Sequence, residues 1–196
     1  MSEIATVRQP FGTSEDSLTQ KTNVNVGTVA TATGLSVVEQ GDAVNHKTVL
    51  TLAAFPVGSA TGAAALAFGG LVYTLPAGAQ VIESVYMSVA LTGTTPIVAD
   101  TPEIGIGSVL GAGVAATLGA AGATMEDYWE GVASAAISGA TATVGTKVAT
   151  AGALTGIAIN AAASAKTFYL NVADTWAAAG DVTATGTIHI IWKMVS

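Results

Sequence analysis

Residues 182–194 read Val182-Thr183-Ala184-Thr185-Gly186-Thr187-Ile188-His189-Ile190-Ile191-Trp192-Lys193-Met194. Val182, Ala184, Gly186, Ile188, Ile190, Trp192 and Met194 fall on one parity; Thr183, Thr185, Thr187, His189, Ile191 and Lys193 fall on the other. A strand sends successive side chains to opposite faces, so this period of two predicts a long strand with an apolar inner face and a threonine-rich outer one.

The same signature recurs upstream. Val85, Met87, Val89 and Leu91 alternate with Ser84, Tyr86, Ser88 and Ala90, and Phe168, Leu170 and Val172 alternate with Thr167, Tyr169 and Asn171. Shorter strand candidates are 34–39, 46–53, 69–74, 103–110 and 143–149, separated by Gly, Pro and Ala-rich loops. About eight strands at this spacing, several too far apart for tight hairpins, predict an all-β fold, a two-sheet jelly-roll-like β-sandwich over residues 34–196. Residues 1–33 are polar, include Thr13-Ser14-Glu15-Asp16-Ser17, and read as an extended N-terminal arm. One short helix is expected from an N-cap at Thr124, with Glu126 and Asp127 in its first turn, ending by Gly131.

Composition narrows the function classes. The chain of 196 residues has no cysteine, which removes disulfides, thiolate metal sites and cysteine nucleophiles. Its net charge is −7, and its six basic residues are scattered singly rather than clustered as phosphate-backbone binding requires, so no nucleic-acid partner is expected. A folded chain of this mass exposes about 8,400 Å². Six basic and 13 acidic residues therefore leave about one charge per 440 Å², a surface of Thr, Ser, Gly and Ala suited to being covered by neighbours. Mean hydropathy is +0.59, but the uncharged stretch from Thr48 to Ile82 is broken by Pro56, Gly58, Gly62, Gly69, Gly70, Pro76 and Gly78, so no membrane partner is expected. The opening Met1-Ser2-Glu3 lacks a basic region followed by an apolar one, which predicts synthesis in a cytoplasm.

Motifs with chemical content are few. Gly111-Ala112-Gly113-Val114-Ala115-Ala116 fits a dinucleotide-binding glycine pattern, but Gly119 and Gly122 interrupt the helix it would need, so it reads as a loop. Glu126, Asp127 and Glu130 could pair as metal ligands or as acid and base; a helix's first turn favours acids in any case. Asp174 and Asp181 flank Trp176 without a calcium-loop spacing. His46 and His189 lie far apart in sequence, on strands, and are expected at outward or edge positions rather than as a metal pair. No catalytic residue, cofactor or metal is expected, and the chain is not read as an enzyme. The candidate site residues are contacts with other subunits: Phe11, Val24, Val26 and Val29 in the arm, and Tyr128, Trp129 and Trp176 in connecting segments. These three loop aromatics suit either interface anchors or plugs at the ends of the sandwich.

TPEIGIGS (101–108), MEDYWEG (125–131), KTFYLNVADTW (166–176) and TATGTIHIIWKM (183–194) resemble structural proteins of tailed bacteriophages, some of them jelly-roll decoration or cement proteins on the capsid exterior. The likeness spans about residues 46–196, is one of texture, and transfers no site residue. It implies a virion protein on the capsid exterior, made in the host cytoplasm, that binds the major capsid protein and itself as a homo-oligomer, a trimer by expectation. The acidic charge agrees, since an acidic protein is repelled from packaged DNA. The alternative is a virion-surface or fibre module binding a host glycan. A bacterial surface or ice-binding protein would need a regular Thr-x-Thr array, and 183–187 supplies a single short one.

Overall fold

The computed structural model describes residues 27–62, 64–94, 97, 100–121, 123–133, 142–148, 157–161 and 166–194. Among them are eleven strands: β1 (Thr28–Val29), β2 (Leu35–Gly41), β3 (Asn45–Thr61), β4 (Ala67–Thr74), β5 (Gly78–Gly93), β6 (Glu103–Gly107), β7 (Trp129–Ala133), β8 (Ala142–Val148), β9 (Ile157–Ala161), β10 (Thr167–Ala173) and β11 (Ala179–Met194). They form two antiparallel sheets packed face to face. Sheet I runs β2-β3-β11-β5-β8, with β9 also on β5; sheet II runs β1-β4-β10-β6-β7.

The pairing explains why the expected jelly roll forms. β8 lies beside Tyr86–Leu91 and β9 beside Gly78–Ile82, so the two act end to end as one interrupted strand along β5. The pairs then nest: β3 with β11, β4 with β10, β5 with β8 and β9, β6 with β7. This is a long hairpin rolled up, and the side-by-side pairs β11–β5 and β10–β6 close the roll.

Alternation sets the core as the sequence predicts. Val182, Ala184, Ile188, Ile190 and Trp192 of β11 are buried, as are Val85, Met87, Val89 and Leu91 of β5 and Phe168, Leu170 and Val172 of β10. Burying each large side chain contributes about 1.5–3 kcal/mol. In β3 the parity changes at a bulge: Leu52 faces Gly186 and Phe55 faces Ala184, so Ala53 and Ala54 together oppose Thr185. Ala54 takes φ of 53° there, and its N–H donates to the Thr185 hydroxyl at 3.1 Å. Gly186 opposite is required on two counts, since its φ is 144° and a Cβ would collide with the Ser88 carbonyl.

Three expectations change. The helix from Thr124 is absent: residues Gly119–Ala121 and Ala123–Met125 are single 3₁₀ turns, and Trp129–Ala133 is strand. A run of eight residues is too short to hold a helix on its own, and Ser108, nineteen residues away, engages Asp127. The boundary at residue 33 also moves, because Thr28 and Val29 pair with Thr74 and Tyr73, and Val29 packs on the main core; these residues belong to the sandwich and not to an arm. His46, expected at an outward or edge position, is 2% exposed, since its parity on β3 is that of Leu50 and Leu52.

Candidate functional site

The outer faces of the two sheets differ. On sheet II the segment 108–128 lies across the strands and makes a second, small core from Ala67, Leu118, Met125 and Ala173. Asn171 fastens it: Oδ1 accepts the Gly111 N–H at 2.8 Å, and Nδ2 donates to the carbonyls of Val109 (2.9 Å) and Met125 (2.7 Å). Asp127 and Glu126 of this segment, and Glu103 of β6, accept backbone N–H groups around it. Asp127 accepts from the Ser108 N–H at 2.6 Å and the Ser108 hydroxyl at 2.7 Å, Glu126 from the Gly131 N–H at 2.7 Å, and Glu103 from the Leu118 N–H at 2.6 Å. Burial raises the Asp127 pKa, and the Ser108 bonds oppose it only in part. The glycine-rich run from Gly111 is part of this cover: a Cβ on Gly111 would meet the Phe68 carbonyl at 2.8 Å.

The loop aromatics are internal. Tyr128, Trp129 and Trp176 are 3%, 0% and 5% exposed. Tyr128 stacks on Phe168 at 4.3 Å, Trp129 sits in β7 opposite Ile106, and the Trp176 indole N–H donates to the Leu66 carbonyl at 2.8 Å. Of the two roles their types suggest, packing within the chain is the one the structure shows. Val29 is likewise half-buried against the core, while Phe11, Val24 and Val26 lie outside the described residues.

Among the described residues, sheet I presents an open outer face. Register sets side chains in rows across β2, β3, β11 and β5: Ser36, Thr51, Thr187 and Ser88; then Val38, Val49, His189 and Tyr86; then Gln40, Lys47, Ile191 and Ser84. Val38 is 55% exposed. The rings of Tyr86 and His189 stack at 4.3 Å with 13° between planes. Burial and the neighbouring Lys47 hold the His189 pKa below its ordinary value. In the third row, Gln40, Lys47 and Ile191 line a shallow cleft of about 250 Å³ with Gly41, Asn45 and His46. Lys193 is paired with Glu83 at 2.5 Å.

Where the described chain begins, a buried polar chain links the sheets. The Gly27 N–H donates to the Tyr73 hydroxyl at 2.9 Å, which donates to Glu39 Oε2 at 3.0 Å; the Thr48 hydroxyl donates to the same oxygen at 2.9 Å and accepts from the Trp192 indole at 2.9 Å. His46 lies flat on Trp192 at 3.9 Å, with Nδ1 at 3.4 Å from Glu39 Oε1. Burial and the Glu39 charge raise the Tyr73 pKa, so the phenol stays protonated and serves as donor. Alternation could not reveal this cluster, because Glu39, His46 and Thr48 are polar residues at inward positions.

The structure does not bring the remaining candidates together. His46 points into the sandwich and His189 out of it. Asp174 accepts from the Thr175 N–H, and Asp181 from the Ser59 hydroxyl. Among the described residues no three of His, Asp or Glu gather as a metal-binding group, and no helix is long and apolar enough to cross a membrane. Compared with known proteins, the chain matches no family model, no curated protein and no solved structure.

Proposed function

We propose that this protein is a structural subunit of a virion, a decoration or cement protein that binds the outer capsid shell and stabilises it through subunit contacts. The observation that carries this reading is the open face of sheet I. Three rows of Thr, Ser, Val and a ring pair run across four strands, and in those rows Lys47 is the residue charged at neutral pH. Covering such a face desolvates little charge, and charge-poor cores are what distinguish protein interfaces from ordinary surface. The jelly roll and the acidic net charge support an exterior position. The resemblance in sequence texture to phage structural proteins points the same way.

Co-sedimentation with assembled shells of the virus that encodes the chain tests this. The protein should pellet with the shells, saturate at a fixed ratio to the major capsid protein, and raise the shells' melting temperature. Protein that stays in the supernatant at saturating concentration overturns the reading. A host-glycan module is the second reading, favoured by the Tyr86–His189 ring pair beside the cleft at Ile191; binding to a glycan array that is lost in Tyr86→Ala would support it.

A further inference from the structure

We propose that the cleft on the open face of sheet I receives one carboxylate, an Asp or Glu side chain of the shell subunit, on Lys47. The inference rests on reading that face as the shell contact, and it names the chemistry of the surface that would match it.

In the three rows Lys47 is the residue charged at neutral pH, and the acids of the elements around it are engaged elsewhere. Glu39, on β2, serves the buried cluster: its Oε2 accepts from the Tyr73 and Thr48 hydroxyls, and its Oε1 lies 3.4 Å from His46 Nδ1. Asp42, in the turn between β2 and β3, accepts the N–H groups of Val44 and Asn45 at 2.8 and 2.7 Å. Glu83, on β5, pairs with Lys193 at 2.5 Å. Among the described residues no acid pairs with Lys47. Burial and the field of Lys47 both oppose protonation of His189 in the neighbouring row. At neutral pH the face therefore carries a point of positive charge and not a basic patch.

That point dictates what can cover the face. Hydroxyl and aliphatic rows accept many partners, but an ammonium stripped of water without a counter-ion strongly disfavours the contact. A partner laid over these rows must bring one negative group to Lys47. The cleft gives that group a place: Lys47 lines it with Gln40, Gly41, Asn45, His46 and Ile191. Its volume of about 250 Å³ falls below the roughly 300–1,000 Å³ of small-molecule pockets and suits a single side chain. A lysine lays its stem on apolar neighbours such as Ile191 and keeps its ammonium at the rim, where one carboxylate oxygen would meet it. The Gln40 amide, in the same row, can donate to the other oxygen.

The test measures co-sedimentation of the full chain with shells of the virus that encodes it, across a salt series. Lys47→Met keeps an apolar stem beside Ile191 and removes the charge. It should bind at least about tenfold more weakly, because it strands the partner's carboxylate. Lys47→Glu should stay in the supernatant, and Lys47→Arg should bind as wild type does. Wild-type affinity should fall as salt rises, and that of Lys47→Met should change far less. All three variants should melt with wild type, since the residue lies on the outer face. A Lys47→Met protein that binds as tightly as wild type, or more tightly, overturns the inference, because the partner then sets apolar surface on the cleft. A wild type whose shell binding ignores salt does the same. So does self-association of the isolated chain that is lost in Lys47→Met, since the acid then comes from a second copy. Each of these leaves the capsid reading standing, whereas wild type that never pellets removes that reading and this inference with it.

Discussion

Asn171 grips Gly111 from a position that strand parity assigns to the outer face of sheet II: its Oδ1 accepts the Gly111 N–H at 2.8 Å, and the side chain is fully buried. The amide also donates to the carbonyls of Val109 and Met125, so three backbone groups of the covering segment depend on one side chain. Asn171→Ala leaves these groups buried and unpaired and should cost at least about 2 kcal/mol in urea unfolding. Asn171→Asp should do no better, because it sets a carboxylate against two carbonyls. Hydrogen exchange at the Gly111 amide should accelerate in both; an unchanged rate in Asn171→Ala would contradict the clamp.

The second prediction concerns the parity of β11. Ile190 is fully buried between β3 and β5, and Thr187 lies on the open face opposite Thr51 and Ser88. Ile190→Asp buries an unpaired carboxylate and should unfold the domain, a cost of several kcal/mol. Thr187→Asp should stay within about 1 kcal/mol of wild type. Circular dichroism melts of the two variants decide it, and equal damage would mean that β11 is buried on both faces.

The long strands were legible because their alternation persists over many residues: β11, β5 and β10 lie where the sequence places them. β7, with Trp129-Glu130-Gly131-Val132-Ala133, and β9, with Ile157-Ala158-Ile159-Asn160-Ala161, were not, because five residues amid Ala and Gly carry too little pattern. The acids at 126 and 127 imitate a helix start, yet their partners are Gly131 and Ser108, and the second of these lies nineteen residues away. More distant still is the Trp192–Thr48 bond, across 144 residues. Polar residues on inward parity are read as breaks in a pattern until the fold supplies their partners, and this is why the Glu39 cluster escaped the sequence. The bulge at Ala53 and Ala54 had no glycine to announce it.

His189 should make stability fall as the solution is acidified. Burial and Lys47 disfavour the imidazolium, so the folded pKa lies below the ordinary 6.5. Above that value both states are neutral at this residue. As the pH drops through 6.5 the unfolded chain takes up a proton before the folded one does, and stability is lost until the folded pKa is reached. The melting temperature should therefore decline from pH 7.5 to 5.5 less steeply in His189→Gln than in wild type. Parallel profiles would show that this ring titrates alike in both states.

Asp127 provides the last test, because it separates a structural carboxylate from a metal ligand. Its two oxygens accept from the N–H and the hydroxyl of Ser108, and burial raises its pKa, so the ionised form is held at a cost in the folded state. Asp127→Asn keeps one oxygen for the Ser108 N–H, lets its amide donate to the Ser108 hydroxyl, and removes the buried charge. Stability at pH 7 should then match wild type within about 1 kcal/mol, or exceed it. Asp127→Ala strands the Ser108 N–H and should lose about 1–3 kcal/mol. The sign with pH follows from the raised pKa: the wild-type native state gains relative to the unfolded state as pH falls through the folded value, and the asparagine variant lacks that gain. A metal ligand would behave otherwise, since asparagine would then be as damaging as alanine and EDTA would lower the wild-type melting temperature. Calorimetry of the three proteins with and without chelator distinguishes the two, and a shift of several degrees on adding EDTA would refute the structural role.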